Sequence, residues 1–276
     1  MAFELHQADE DERGMSPTYG DAYPISPPSQ SMRVPLPTDE PRAVWVLLAI
    51  NIVIYVLTVF LSLLLIPGPT NVFTPSPSIL NLGWKRNDLI VQGEYWRLLT
   101  AMFLHGNLLH ILFNGYALYI LGPQAERIYG SLRFLTLYVL AGLSGSIASY
   151  AFSHNPSVGA SGAIFGLVGG LGVFFYLGRT ILGDTGRSQL QGMITIVMIN
   201  LIIGFTAGGG IIDNYAHIGG LIGGMLAGWM LAPRYTIDRR LYPPVVVRQF
   251  LSLSWVGAGG MLLLLMLLVL IIRPPL

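Results

Sequence analysis

Residues 43–66 form a run of 24 residues without a charged side chain. At 1.5 Å per residue, a helix of that length crosses a hydrocarbon core of about 30 Å with some tilt. Six further apolar stretches follow, at about 108–122, 133–152, 160–178, 192–212, 214–232 and 250–272. A lipid-exposed backbone must satisfy its own hydrogen bonds, so these stretches are expected to be helices. Only 11% of the residues are charged, against about 25% in a soluble domain, and 53% are apolar. The chain therefore reads as an all-α polytopic membrane protein with seven spans, six close together and one after a longer basic connection. With a net charge of +1, it has no field to recruit nucleic acid. With no cysteine, disulfides, thiolate metal sites and a cysteine nucleophile are excluded.

The charges divide the chain into three parts. Residues 1–41 hold eight of the 14 acids and seven prolines between 15 and 41, and are expected to be a disordered tail. They lack the basic and apolar regions of a cleavable signal peptide. Residues 42–232 carry six spans, and 233–276 carry the basic connection and the seventh. With the N-terminus inside, 11 of the 15 Lys and Arg residues lie inside, and only Lys85, Arg86, Arg97 and Arg273 lie outside. The positive-inside rule thus favours a cytoplasmic N-terminus and an outer C-terminus, as in a plasma membrane protein. The loop 67–107 is long and turns amphipathic through Trp84, Leu89, Tyr95, Trp96 and Leu99, which fits either a surface loop or one lying in the interface.

Polar residues within spans mark functional sites. His105 and His110 flank the start of the second span, and His217 lies in the sixth. His105 and His110 are five residues apart, about 140° around an ideal helix, which argues against one shared metal. His110 and Asn114 are four apart and share a face. Ser161 opens the fourth span, whose Gly162, Gly166 and Gly170 recur at four. On the sixth, His217, Gly220, Gly224 and Gly228 follow at three, four and four. Two glycine-faced helices can pack backbone to backbone, which would bring Ser161 to His217 at the outer end. Serine is a weak nucleophile until a base takes its proton, and His217 is the base available there. Asp213 lies at the span edge as the one nearby acid, so a Ser-His dyad is expected rather than a triad. His110, Asn114 and the Ser161 N–H suit the oxyanion.

These residues together resemble the rhomboid family of intramembrane serine proteases, over Trp96-Arg97 to Gly228. The matching motifs are Trp96-Arg97, the run from His105 through His110 to Asn114, Gly159-Ala160-Ser161-Gly162, and Ala216-His217 with Gly220 and Gly224. Glu126, before Gly130, matches a further acidic position. The resemblance implies a six-helix bundle with a water-filled cavity open to the outside, here extended by a C-terminal helix. It implies Ser161 as nucleophile, His217 as general base, and His110 and Asn114 as oxyanion supports. It implies the fifth span as a substrate gate and single-span membrane proteins as substrates within the bilayer, without cofactor or metal. Phe165 stands where some members carry Tyr, and its ring can still stack on His217. Arg97 is expected to hold the first loop through carbonyls, and Glu126 to close a network at the inner end. The competing expectation is a catalytically inactive relative that binds membrane clients. A transporter would need paired intramembrane charges, and spans two to six contain no interior acid.

Overall fold

The structure, a computed structural model, describes residues 2–5, 32–35, 38–66, 73–206, 212–238, 240 and 245–275. Seven long helices coincide with the seven apolar stretches: α1 (Ala43–Leu65), α5 (Leu108–Tyr129), α6 (Ser131–Phe152), α7 (Ser161–Leu177), α8 (Arg179–Thr206), α9 (Asn214–Leu231) and α10 (Ser254–Ile271). The first loop adds α2 (Pro77–Leu80), α3 (Asn87–Val91) and α4 (Arg97–Thr100), which runs into a 3-10 turn at Ala101–Phe103. By length and hydropathy α1, α6, α8 and α10 can each cross a membrane, and the pair Arg97–Phe103 plus α5, bent by 89°, passes the same test only when taken together. The 17-residue α7 is shorter, and it is buried on nearly every face. A helix surrounded by protein has no lipid to match and can be short and glycine-rich.

Two boundaries differ from the sequence expectation. The helix α5 continues through Pro123 to Tyr129. The helix α8 starts at Arg179, with a break at Gly183, whose φ of 52° leaves the helical region. Its expected end at 207–211 lies outside the described residues. The apolar run 98–104, just ahead of the second stretch, forms α4 and the 3-10 turn. Within 1–41, β1 (Ala2–Leu5) and β2 (Met32–Pro35) pair antiparallel, and residues 6–31 lie outside the described residues. The basic connection folds in part into an antiparallel hairpin of β3 (Arg234–Asp238) and β4 (Val245–Gln249).

Glycine sets the centre of the bundle. A Cβ added to Gly220 would stand 2.0 Å from the Gly162 carbonyl oxygen, and one on Gly224 2.1 Å from that of Gly166. One on Gly228 would stand 2.7 Å from the Gly170 Cα. The two helices α7 and α9 thus touch backbone to backbone along the face anticipated from the spacing. A second glycine face of α9 meets α6, where Cβ atoms on Gly219 and Gly223 would strike Ala148 Cβ and Ser144 Oγ at 2.3 Å each. The sequence pattern had not singled out that face.

The far end of the bundle is closed by Glu126, which is fully buried. Its carboxylate accepts the backbone N–H groups of Arg42, Ala43 and Val44, each at 2.8 Å, and the Ser131 hydroxyl at 2.6 Å. It therefore caps α1, whose own N-cap residue supplies no side-chain bond. Glu126→Ala strands these donors, each costing about 1–3 kcal/mol when buried. The expected result is a loss of about 3 kcal/mol or more, read by unfolding in detergent. Unchanged stability would remove Glu126 from this role.

Candidate active site

Ser161 begins α7, His217 lies one turn inside α9, and His110 and Asn114 lie on the first turns of α5. All four sit at the same end of the bundle. The Phe165 ring, one turn below Ser161, stacks on His217 with centroids 4.2 Å apart and planes 9° from parallel. Among the described residues, the His217 Nδ1 is buried and has no hydrogen-bond partner. Asp213 does not orient the imidazole. It accepts the Ala216 N–H at 3.0 Å as the N-cap of α9, and it accepts a hydrogen bond from Ser149 on α6.

The oxyanion candidates meet over Gly159, two residues before Ser161. Gly159 has a φ of +124°, and a Cβ there would stand 2.7 Å from His110 Nε2 and 3.5 Å from Asn114 Nδ2. Glycine is required here both by the backbone conformation and by the closeness of the two side chains. The Asn114 amide is buried without a partner, a donor left open beside the segment that leads into Ser161. His105 is fully buried and lies edge-to-face against His110, with centroids 5.2 Å apart. It supports His110 from behind. An apolar groove of about 610 Å³ between α1 and α5 runs to His105, Asn114 and Ala160.

The first loop holds the segment before Ser161 in place. Lys85 and Ser157 exchange backbone hydrogen bonds at 2.9 and 3.1 Å, and the Gly159 N–H donates to the Ala101 carbonyl at 2.9 Å. Arg97 fixes the loop internally: Nη1 donates to the Asn81 carbonyl at 2.7 Å and the Trp84 carbonyl at 3.2 Å, and Nε pairs with Glu94 at 2.5 Å. Arg97 and Glu126 are therefore at opposite ends of the bundle. Asn87 Nδ2 reaches the Ser153 carbonyl at 2.9 Å and the Pro275 carbonyl at 2.6 Å, so α10 ends on the site side.

Lys85 is the residue that sequence reasoning passed over. By sequence it is an outer charge and no more, yet it is 1% exposed. Its ammonium donates to the carbonyls of Ser153 at 2.8 Å and Asn155 at 3.0 Å. With Ser146, Ser149, Ser157 and Ser161 it lines a small cavity of about 20 Å³, enough for about one water. The only signal in the sequence was a lysine beside Trp84 in an amphipathic loop. Burial pushes the Lys85 ammonium down to about 8 from its ordinary 10.5, opposed in part by the nearby Asp213 carboxylate. Between those values the unfolded chain holds the extra proton, so stability rises with pH across the window. Unfolding measured from pH 8 to 10.5 is expected to show that rise in the wild type and to lack it in Lys85→Met.

Against known proteins, the Rhomboid domain family matches residues 92–234, just over half of the chain and the whole of the site. The chain belongs to the rhomboid family. It is 47% identical over 154 residues to Rhomboid protease GluP of Bacillus subtilis, covering 56% of this chain and 29% of that protein. It is 35% identical over 174 residues to RHOMBOID-like protein 5 of Arabidopsis thaliana, covering 61% and 55%. Rhomboid-like protease 1 of Toxoplasma gondii is 34% identical over 236 residues, 83% of this chain and 77% of that protein. The chain thus spans about half or less of the first two relatives. It is a multi-pass integral membrane rhomboid with an all-α bundle.

Proposed function

We propose that this rhomboid is an intramembrane serine endopeptidase that hydrolyses peptide bonds in or near the transmembrane segments of single-span membrane proteins. The carrying observation is the glycine contact of α7 with α9, which puts Ser161 and His217 at one end with the Phe165 ring against the imidazole. In this reading Ser161 Oγ attacks the scissile carbonyl carbon, and His217 takes the hydroxyl proton and passes it to the leaving amine. The open amide of Asn114, the His110 imidazole and the Ser161 N–H face the developing oxyanion. Water then hydrolyses the acyl-enzyme, with His217 again as base.

Substrate segments that carry helix-breaking residues near the site's face unwind at least cost, which defines the preferred class. Entry is assigned to the side of α8, whose long apolar surface is the least packed of the spanning helices. The N-terminus is assigned to the cytoplasm and the site to the outer face, in a plasma membrane.

A serine-directed fluorophosphonate probe tests the assignment in membranes. Labelling is expected in the wild type, unaffected by EDTA, and absent from Ser161→Ala. Labelling that persists in Ser161→Ala would overturn the nucleophile. No labelling of a folded wild type, and no cleavage of several single-span substrates, would favour an inactive client-binding protein.

A further inference from the structure

At the end of the bundle opposite the site, a cleft of about 510 Å³ opens between the start of α1, the start of α6 and the residues after β4. Along α6, the 18 residues from Ser131 to Ser149 separate it from the site's end by about 27 Å, close to a hydrocarbon thickness, so it lies at the other membrane face. Three arginines line it, Arg42, Arg133 and Arg248, with two acids, Asp39 and Glu40. Both acids already have cations: Arg248 pairs with Asp39 at 2.8 Å and Arg42 with Glu40 at 3.3 Å. Among the described residues Arg133 has no ion pair, and its buried Nε has no hydrogen-bond partner.

Aromatic rings hold that guanidinium in place. It lies 3.7 Å from the Phe250 ring centroid and 5.1 Å from that of Trp255. Arg248 lies 5.3 Å from the same Phe250 ring, so two cations share one ring with a single carboxylate between them. The first N–H groups of α6 have no side-chain cap beside Arg133. The surroundings are lipid-like: Leu132, Leu251, Leu253 and Trp255 are all exposed. An arginine short of one anion, beside interfacial aromatics at phosphate depth, matches a negatively charged headgroup bearing acyl chains.

We propose that this cleft binds the phosphate of an anionic phospholipid, with Arg133 as the pairing cation. The apolar rim selects a lipid over free phosphate, because the acyl chains continue along the exposed surface of the adjoining helices.

Native mass spectrometry of the full chain in detergent tests this with phosphatidylglycerol and phosphatidylcholine of matched acyl chains. The wild type is expected to retain phosphatidylglycerol about tenfold better, the worth of roughly one charge-assisted hydrogen bond. Arg133→Gln should reduce retention to the phosphatidylcholine level. Leu132→Glu, which adds a carboxylate at an exposed rim position, should do the same without touching the packing and decides the matter if Arg133→Gln fails to fold. Equal retention of the two lipids by the wild type would overturn the proposal, as would an unchanged preference in Leu132→Glu. Displacement of phosphatidylglycerol by equimolar inorganic phosphate would reassign the cleft to a free anion and overturn the lipid assignment.

Discussion

Ser161→Ala is expected to lower cleavage of a tagged single-span substrate by at least about 10³-fold, and His217→Ala by a similar factor. The physical basis is that the serine hydroxyl is a poor nucleophile until the imidazole removes its proton, so losing either group ends the same step. The double variant should therefore be no slower than either single one. Ser161→Ala deletes one hydroxyl at the edge of a small cavity and should leave the melting temperature nearly unchanged. His217→Ala also removes a ring stacked on Phe165, so its stability must be measured separately, with a cost of about 1–3 kcal/mol for the void. Residual cleavage by a folded Ser161→Ala chain would dismiss the proposed dyad, and losses that multiply in the double variant would mean the two residues act in separate steps.

The second large effect falls on the bundle itself. Gly224→Ala puts a Cβ 2.1 Å from the Gly166 carbonyl oxygen and 2.3 Å from the Gly166 Cα. Those are backbone atoms and no rotamer relieves the overlap, so α7 and α9 must separate. Separation also breaks the Gly220–Gly162 contact one turn above and draws His217 away from Ser161. We expect a loss of about 4 kcal/mol or more, with cleavage lost alongside. Gly260→Ala in α10 is the matched control, since nothing lies within 4 Å of the added Cβ. In that open helical position alanine should be neutral or stabilising by up to about 1 kcal/mol. Similar melting temperatures for the two variants would refute the view that close helix approach holds the site together.

The first span could be read without a structure because residues 43–66 must satisfy lipid along their whole length. The interior helices were harder to delimit. The second apolar stretch ends at about 122, yet the chain continues as helix through Pro123 and uses its last turn to present Glu126 to the start of α1. The fifth apolar stretch begins only at about 192, whereas the chain forms helix from Arg179, interrupted at Gly183. Local composition cannot report a partner 82 residues away, and the Glu126–Val44 bond has that separation.

The same division runs through the site. Spacing alone paired His110 with Asn114 and set the glycines of α9 against those of α7, because both patterns follow from 3.6 residues per turn. Helical periodicity is a property of a single element, so it is written in a single stretch of chain. What depends on several elements meeting was decided by the tertiary structure. The second glycine face against α6, Lys85 over the carbonyls of Ser153 and Asn155, Asp213 as a cap joined to Ser149, and Arg133 beneath Phe250 all join residues distant in sequence. Their energies come from desolvation and direct contact, which do not exist until the helices have packed.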